Sequence, residues 1–299
     1  ALPPARLKAM IERVGPIGLL YADGCQDLAE VTCRDIPKIA IKDVAHATST
    51  LTPMAPNAAA YVMFTSGSTG VPKGILGRYK SLNHFLTWQI QEFNFDATTV
   101  TAQLAPVGFD VSLRDILSPL VAGGSVTVPP RETIMSPRDL LSWFNDKQVT
   151  SLHCVPSILR LLITELQYNP KLRPVHLRHL FLAGEPLSGT AVKEWRKFAG
   201  DSIEVVNFYG PSETTLAKVY SRVGDSASIT DGVLPIGIAL PNTDVLIHKS
   251  DRMAIAGEIG EICIRTDFPS LGYFDDIDAT RAAFQRNPFG TTANDVIYK

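Results

Sequence analysis

Cysteine is scarce: the 299 residues hold four, at Cys25, Cys33, Cys154 and Cys263, and none forms a C-x-x-C pair. Six histidines are scattered with no H-E-x-x-H and no His–Cys cluster, so metal chemistry from these residue types is not expected. Cys154 and Cys263 lie inside apolar runs, which reads as buried free thiols in a reducing, cytoplasmic setting rather than disulfides. No stretch reaches 18 uninterrupted apolar residues, which excludes a membrane-spanning helix. Neither charge dominates: 28 basic against 30 acidic side chains give a net charge of −2. That balance lacks the basic surface that tracks nucleic-acid phosphates. A Walker A loop, a Rossmann G-x-G-x-x-G and a G-x-S-x-G elbow are absent too. The first residues carry no initiator Met and no signal-peptide pattern, so the start reads as an internal cut.

What is present suits a globular α/β body. Apolar residues make up 45% and charged residues 19%, enough for a core and too apolar for disorder. The length suits one large α/β unit or two ordinary domains. Residues 5–14 have helical spacing, and Ile17–Tyr21 reads as a buried strand. Residues 43–58 suit an exposed connection, and Ala59–Thr65 is a β-branched, aromatic strand. Helical patterns at 81–93, 111–121, 137–146, 157–167 and 191–199 then alternate with strand patterns. The strands fall at 101–105, 125–128, 149–155, 179–183 and 203–208, an order that predicts parallel sheet covered on both faces. Beyond about residue 230, strands such as Thr243–His248 and Gly260–Arg265 are separated by turn residues, so a β-rich end is expected.

The densest chemical signal is Thr65-Ser66-Gly67-Ser68-Thr69-Gly70-Val71-Pro72-Lys73-Gly74. Glycines let the backbone aim successive N–H groups at an anion, hydroxyls add donors, and Lys73 adds a point charge. A Ser/Thr/Gly surface turn is the bland alternative, but the buried strand before it and the Pro-Lys-Gly after it favour a phosphate loop. Asn207-Phe208-Tyr209-Gly210-Pro211-Ser212-Glu213-Thr214-Thr215 puts a turn and polar groups where a strand ends. Such carboxyl edges are where open α/β sheets bind ligands. Ala183-Gly184-Glu185-Pro186 follows another strand end, and Gly257–Ile264 with Leu271-Gly272-Tyr273 reads as mainly structural.

Together, and in this order, these segments resemble the core motifs of the adenylate-forming superfamily, and within it the adenylation domains of nonribosomal peptide synthetases. Departures are Tyr79, where the family usually has His, and Ser270-Leu271-Gly272-Tyr273 for Ala-Arg-Gly-Tyr. The resemblance implies ATP and Mg²⁺ as cofactors, with Lys73, Glu213 and Thr214 catalytic and Glu213 on the metal. It implies nucleotide contacts from Thr65, Ser66, Gly67, Ser68, Thr69, Gly70, Gly184, Glu185, Asn207, Phe208, Tyr209, Gly210 and Ser212. The partner is expected to be a peptidyl carrier protein whose phosphopantetheine thiol takes the activated acid, with an MbtH-like helper as a further expectation.

Asp110, in Phe109-Asp110-Val111-Ser112, matches the aspartate that pairs with an amino-acid ammonium in peptide synthetases; a helix N-cap is its alternative role. By the same resemblance the substrate pocket comprises Asp110, Val111, Arg114, His153, Phe181, Ala183, Phe208, Leu216 and Ala217. An inward Arg114 would suit a polar or acidic side chain, whereas an outward one would meet solvent. The resemblance further implies that residues 1–299 are part of a large N-terminal subdomain, α/β over about 1–225 and β-rich over about 230–299. The small C-terminal subdomain would be absent and turnover by this piece alone poor. Rival readings are acyl- or aryl-CoA synthetase-like acid activation, and a non-catalytic scaffold.

Overall fold

The computed structural model describes residues 3–32, 36–44, 53–65, 72–249, 252–290 and 295–299. Helix α1 (Pro4–Val14) ends at Gly15, whose left-handed backbone (φ 58°) donates its N–H to the Ile11 carbonyl. Strand β1 (Leu19–Tyr21), helix α2 (Gln26–Thr32) and strand β2 (Lys38–Ala40) follow, with β1 and β2 pairing in parallel. The expected buried strand is half-exposed: Ile17, before it, is 97% and Leu20 63% accessible, while Leu19 and Tyr21 are partly buried. Apolar composition marked a strand correctly, but only one face is covered, with Ala40 of β2 and Ala29 of α2 buried while Leu20 and Ile39 face out.

Strands β3 (Ala59–Thr65) and β4 (Lys73–Arg78) form an antiparallel hairpin with Thr65 opposite Lys73. Then come α3 (Tyr79–Glu92), β5 (Val100–Ala102), α4 (Val111–Val121), β6 (Ser125–Thr127), α5 (Arg131–Ile134), α6 (Pro137–Asp146), β7 (Ser151–Cys154) and α7 (Pro156–Tyr168). After them follow β8 (His179–Leu182), α8 (Gly189–Ala199), β9 (Glu204–Tyr209), β10 (Val219–Arg222) and β11 (Ile238–Ala239). These strands build a seven-stranded sheet in the order β11-β10-β9-β8-β7-β5-β6. Strands β5 to β9 are parallel, and β10 and β11 close the edge antiparallel.

Alternation along the strands assigns the two faces. Leu180 and Leu182 join Leu140, Phe144, Leu159, Leu166 and Trp195 of α6, α7 and α8 in one core. Phe181, Val206 and Phe208 point the other way, into Phe85, Trp88 and Phe93 of and beside α3. Burying each large side chain contributes about 1.5–3 kcal/mol, so both layers hold the sheet. Helix α6 shows how local sequence sets an element. Ser136 caps it by accepting the Asp139 N–H, Pro137 starts it, and Leu140, Leu141, Trp143 and Phe144 make its buried face.

A second, five-stranded antiparallel sheet comprises β12 (Thr243–Lys249), β13 (Arg252–Met253), β14 (Glu261–Thr266), β15 (Phe284–Arg286) and β16 (Val296–Tyr298), with helix α9 (Ile277–Ala283) before β15. Residues 271–274 are zipped onto β4: Leu271 donates to the Leu76 carbonyl, Leu76 to that of Gly272, and Phe274 to that of Gly74. Among the described residues no helix is long and apolar enough to cross a membrane. Cys25, Cys154 and Cys263 are free; Cys25 is exposed, and Cys33 lies outside the described residues.

Candidate functional site

The parallel strands β7, β8 and β9 all end at one edge of the large sheet, and the segments leaving β8 and β9, with the start of α4 and residues 233–236, enclose a cavity of about 560 Å³. Its lining joins three separately read motifs: Asp110, Val111 and Arg114; Ala183, Gly184 and Glu185; and Asn207, Phe208, Tyr209, Gly210 and Ser212, with Leu216 and Ala217 completing one wall.

Asp110 sits at the N-terminus of α4, is 8% exposed, and makes no side-chain capping bond, so the N-cap role is not the one observed. Burial pushes its carboxyl above the ordinary carboxylate value. The Ser212 hydroxyl, the Arg114 guanidinium and the Val111 and Leu216 backbone N–H groups oppose that shift. A partly desolvated carboxylate with a few oriented donors is a natural anchor for an incoming ammonium.

Arg114 is inward and buried, which removes the solvent-facing alternative. Its guanidinium lies 5.4 Å from the Phe208 ring centre and its Nε 3.8 Å from Asp115. Behind this wall runs a buried polar string. The Asp115 Oδ1 is 3.1 Å from the His153 Nδ1, His153 Nε2 is 2.9 Å from the Gln89 amide nitrogen, and the Ser118 hydroxyl donates to Gln89 Oε1. Burial first, then Arg114, pushes the His153 pKa down.

His153 and Phe181 depart from the expected pocket set: both lie behind the cavity wall rather than in it. His153 stacks on Phe181 at 4.5 Å and Phe181 on Phe208 at 5.2 Å, so only Phe208 reaches the cavity. Large rings at neighbouring sheet positions fill the space that smaller residues would have left open. Sequence reading missed Asp115 and Gln89; a polar residue on the apolar stripe of each helix was the available signal.

The nucleotide-side residues divide similarly. Glu185 accepts from the Ser157 N–H at 2.9 Å and the Ser157 hydroxyl at 2.7 Å, satisfying the first turn of α7 while bordering the cavity. Asn207 donates its amide to the Pro235 carbonyl, and Gly184 adopts φ 85°. Thr214 is fully buried, with its hydroxyl donating to the Pro211 carbonyl, inside the turn rather than at the cavity. Gly210 is required by contact: a Cβ there would run into the Leu216 carbonyl and lie 2.7 Å from the Ala217 Cα.

Ser66, Gly67, Ser68, Thr69 and Gly70 lie outside the described residues; Thr65 and Lys73, which flank them, face each other across the hairpin. Lys73 Nζ is 5.2 Å from the Tyr273 ring centre, and the Tyr273 hydroxyl donates to Glu213 Oε1 at 2.7 Å. Tyr273, read from sequence as structural, therefore links Lys73 to Glu213. Burial, then Glu213, raises its pKa, so it stays a donor.

The second sheet also brings His248, Glu261 and Cys263 together, with donor atoms within 4.8 Å of one another, which corrects the expectation of no His–Cys cluster. The register explains it: His248 is opposite Glu261, and Cys263 is two residues along on the same face. Burial and then Glu261 push the Cys263 thiol up, away from the thiolate a metal requires.

The architecture is a layered α/β body with a cavity at the carboxyl edge of its parallel strands, the place where open α/β sheets bind ligands. A family model described as AMP-binding enzyme matches residues 1–274, and the chain belongs to that family; its body is that of an adenylation domain of the adenylate-forming superfamily. The hybrid PKS-NRPS synthetase apdA of Emericella nidulans is 32% identical over 97% of this chain and 8% of that protein. L-2-aminoadipate reductase of Schizosaccharomyces pombe is 31% identical over 78% of this chain and 17% of that protein. The chain thus spans a small part of the length of such relatives. Among solved structures, the nonribosomal peptide synthetase FmoA3 superposes with a TM-score of 0.85 at 24% identity, over 100% of this chain and 32% of that one, a likeness of fold.

Proposed function

We propose that the chain activates an amino acid with ATP for delivery to a carrier-protein phosphopantetheine thiol. One observation carries this reading: the ammonium anchor Asp110 opens into the same cavity as Asn207–Ser212 and the 183–185 segment. A carboxylate anchored there through its ammonium would meet the α-phosphorus of ATP lying along the 207–212 edge. A substrate carboxylate oxygen forms the new bond to that phosphorus, the bond to the pyrophosphate oxygen breaks, and the carrier thiol later displaces AMP from the acyl carbon.

No protein nucleophile is needed, so the residues act by position and charge. Asp110 orients the amino acid; Tyr209 and Gly184 border the nucleotide's base. Lys73 supplies positive charge toward phosphate oxygens. The half-buried Glu213 carboxylate, held by Tyr273, fits a hard divalent cation. Magnesium bound there would neutralise charge on the departing pyrophosphate. A buried guanidinium in the cavity wall favours a substrate with a polar or acidic side chain.

Pyrophosphate exchange by the full-length protein, across amino, fatty and aryl acids, tests the reading. Exchange is expected with amino acids; exchange only with fatty or aryl acids would assign it to acyl- or aryl-CoA synthetase-like chemistry. Arg114→Ala should shift the amino-acid preference away from polar or acidic side chains, and an unchanged preference would remove Arg114 from the argument.

A further inference from the structure

Lys218 has no place in the chemistry above, yet its environment is unusual. The side chain is fully buried, and its Nζ has one hydrogen bond, to the Thr215 carbonyl at 3.1 Å. No carboxylate forms an ion pair with it among the described residues. Its titratable neighbours are the Arg78 guanidinium, which repels it, and His84, whose pKa falls to about 4 through burial and then Lys218, leaving that imidazole neutral. An unpaired buried ammonium is rarely a packing solution, because a Met of similar length fills the same space without desolvating a charge.

The residue it holds is as unusual. Thr215 and Leu216 are consecutive non-glycine residues with φ 68° and 59°, and for a β-branched Thr this is strained backbone. That pair follows the 3₁₀ turn Ser212–Thr214 and delivers the Leu216 N–H toward Asp110 and the Leu216 and Ala217 side chains into the cavity wall. The chain then returns tightly past Gly210 into β10, with Lys218 N bonded to the Tyr209 carbonyl. The strained pair is thus held by the strand pairing at Lys218 N and by the Lys218 Nζ on the Thr215 carbonyl.

We propose that Lys218 is a positioning residue of the amino-acid pocket, holding the Thr215 carbonyl so that the left-handed Thr215–Leu216 pair keeps its N–H on Asp110 and its side chains in the wall. This rests on the amino-acid reading of the cavity. Releasing the carbonyl lets Thr215 relax toward ordinary φ, which turns the Leu216 N–H away from Asp110. The amino-acid side of the site loosens, while Lys73 and Glu213, tied through Tyr273, stay in place.

The test is steady-state pyrophosphate exchange by the full-length protein and its Lys218→Met variant, with melting curves as a folding control. The variant is expected to raise the amino-acid KM by about fivefold, what one ordinary hydrogen bond from the amine is worth, with the ATP KM within about twofold. Thr215→Gly, which removes the penalty for left-handed backbone, should recover part of that loss in the Lys218→Met background and change little alone. An unchanged amino-acid KM in Lys218→Met, parallel rises in both KM values, or no recovery with Thr215→Gly would overturn the proposal. Wild-type protein silent toward every amino acid but active with another acid would instead overturn the amino-acid reading, and this inference with it.

Discussion

Replacing Lys218 by Met should make the protein more stable. The lysine sits at 0% exposure, and burial, reinforced by Arg78, lowers its pKa from 10.5 to about 7. An unfolded chain therefore holds a proton between these values that the folded chain releases. The folded state bears the full cost of burial below about pH 7, and that cost fades as the pH rises toward 10.5. At 1.36 kcal/mol for each pH unit, the cost is of order 4 kcal/mol at pH 7 and about 2 kcal/mol at pH 9. Methionine keeps the length and apolar volume and carries no such cost. With an unfolding entropy of about 2.1 cal/mol/K per residue, and after the lost Thr215 hydrogen bond of about 1 kcal/mol is subtracted, the gain at pH 7 corresponds to a Tm rise of roughly 5 °C. Urea unfolding of both proteins at pH 7, 8 and 9 measures the difference directly. A variant less stable at pH 7, or an advantage that stays flat between pH 7 and 9, would refute the reasoning. Set beside the inferred loss of amino-acid affinity, a stabilised but weaker-binding variant is the expected signature of a group kept for its work in the site.

Gly210→Ala should destabilise by about 1–3 kcal/mol, because the added Cβ meets the Leu216 carbonyl and the Ala217 Cα, both backbone atoms that cannot yield locally. Circular-dichroism melts should show it, together with a loss of amino-acid binding. Asp110 has a raised pKa, so its carboxylate, the form that binds an ammonium, is lost on acidification at a pH above the usual carboxylate range. The amino-acid KM should accordingly climb as the pH falls, beginning before an ordinary aspartate would titrate, and Asp110→Asn should abolish that dependence.

How much of this was legible beforehand follows from the range of each interaction. Helices α4 (111–121) and α6 (137–146) sit where periodicity puts them, α6 with its Ser136 cap and Pro137 besides, because such signals act within a few turns. The parallel pairing of β5, β7, β8 and β9 follows from the alternation of strand and helix patterns, whereas their order, with β6 outside β5, does not. The segment 17–21 shows the limit: its composition marks a strand, but burial depends on a covering layer that composition does not report. His153 and Phe181 were placed in the pocket by motif position, yet ring stacking through Phe208 leaves them one layer behind.

The sequence by itself determined the family, the α/β body and the cluster of polar and glycine residues at strand ends, since these reside in contiguous motifs. Only the tertiary structure decided that Tyr273, 200 residues along the chain from Lys73, connects that lysine to Glu213, that Arg114 turns inward, and that Lys218 is shut from water. Pairing of distant strands and exclusion of solvent are properties of the assembled layers. A residue's charge state and reach are therefore set by neighbours its own stretch of sequence does not contain.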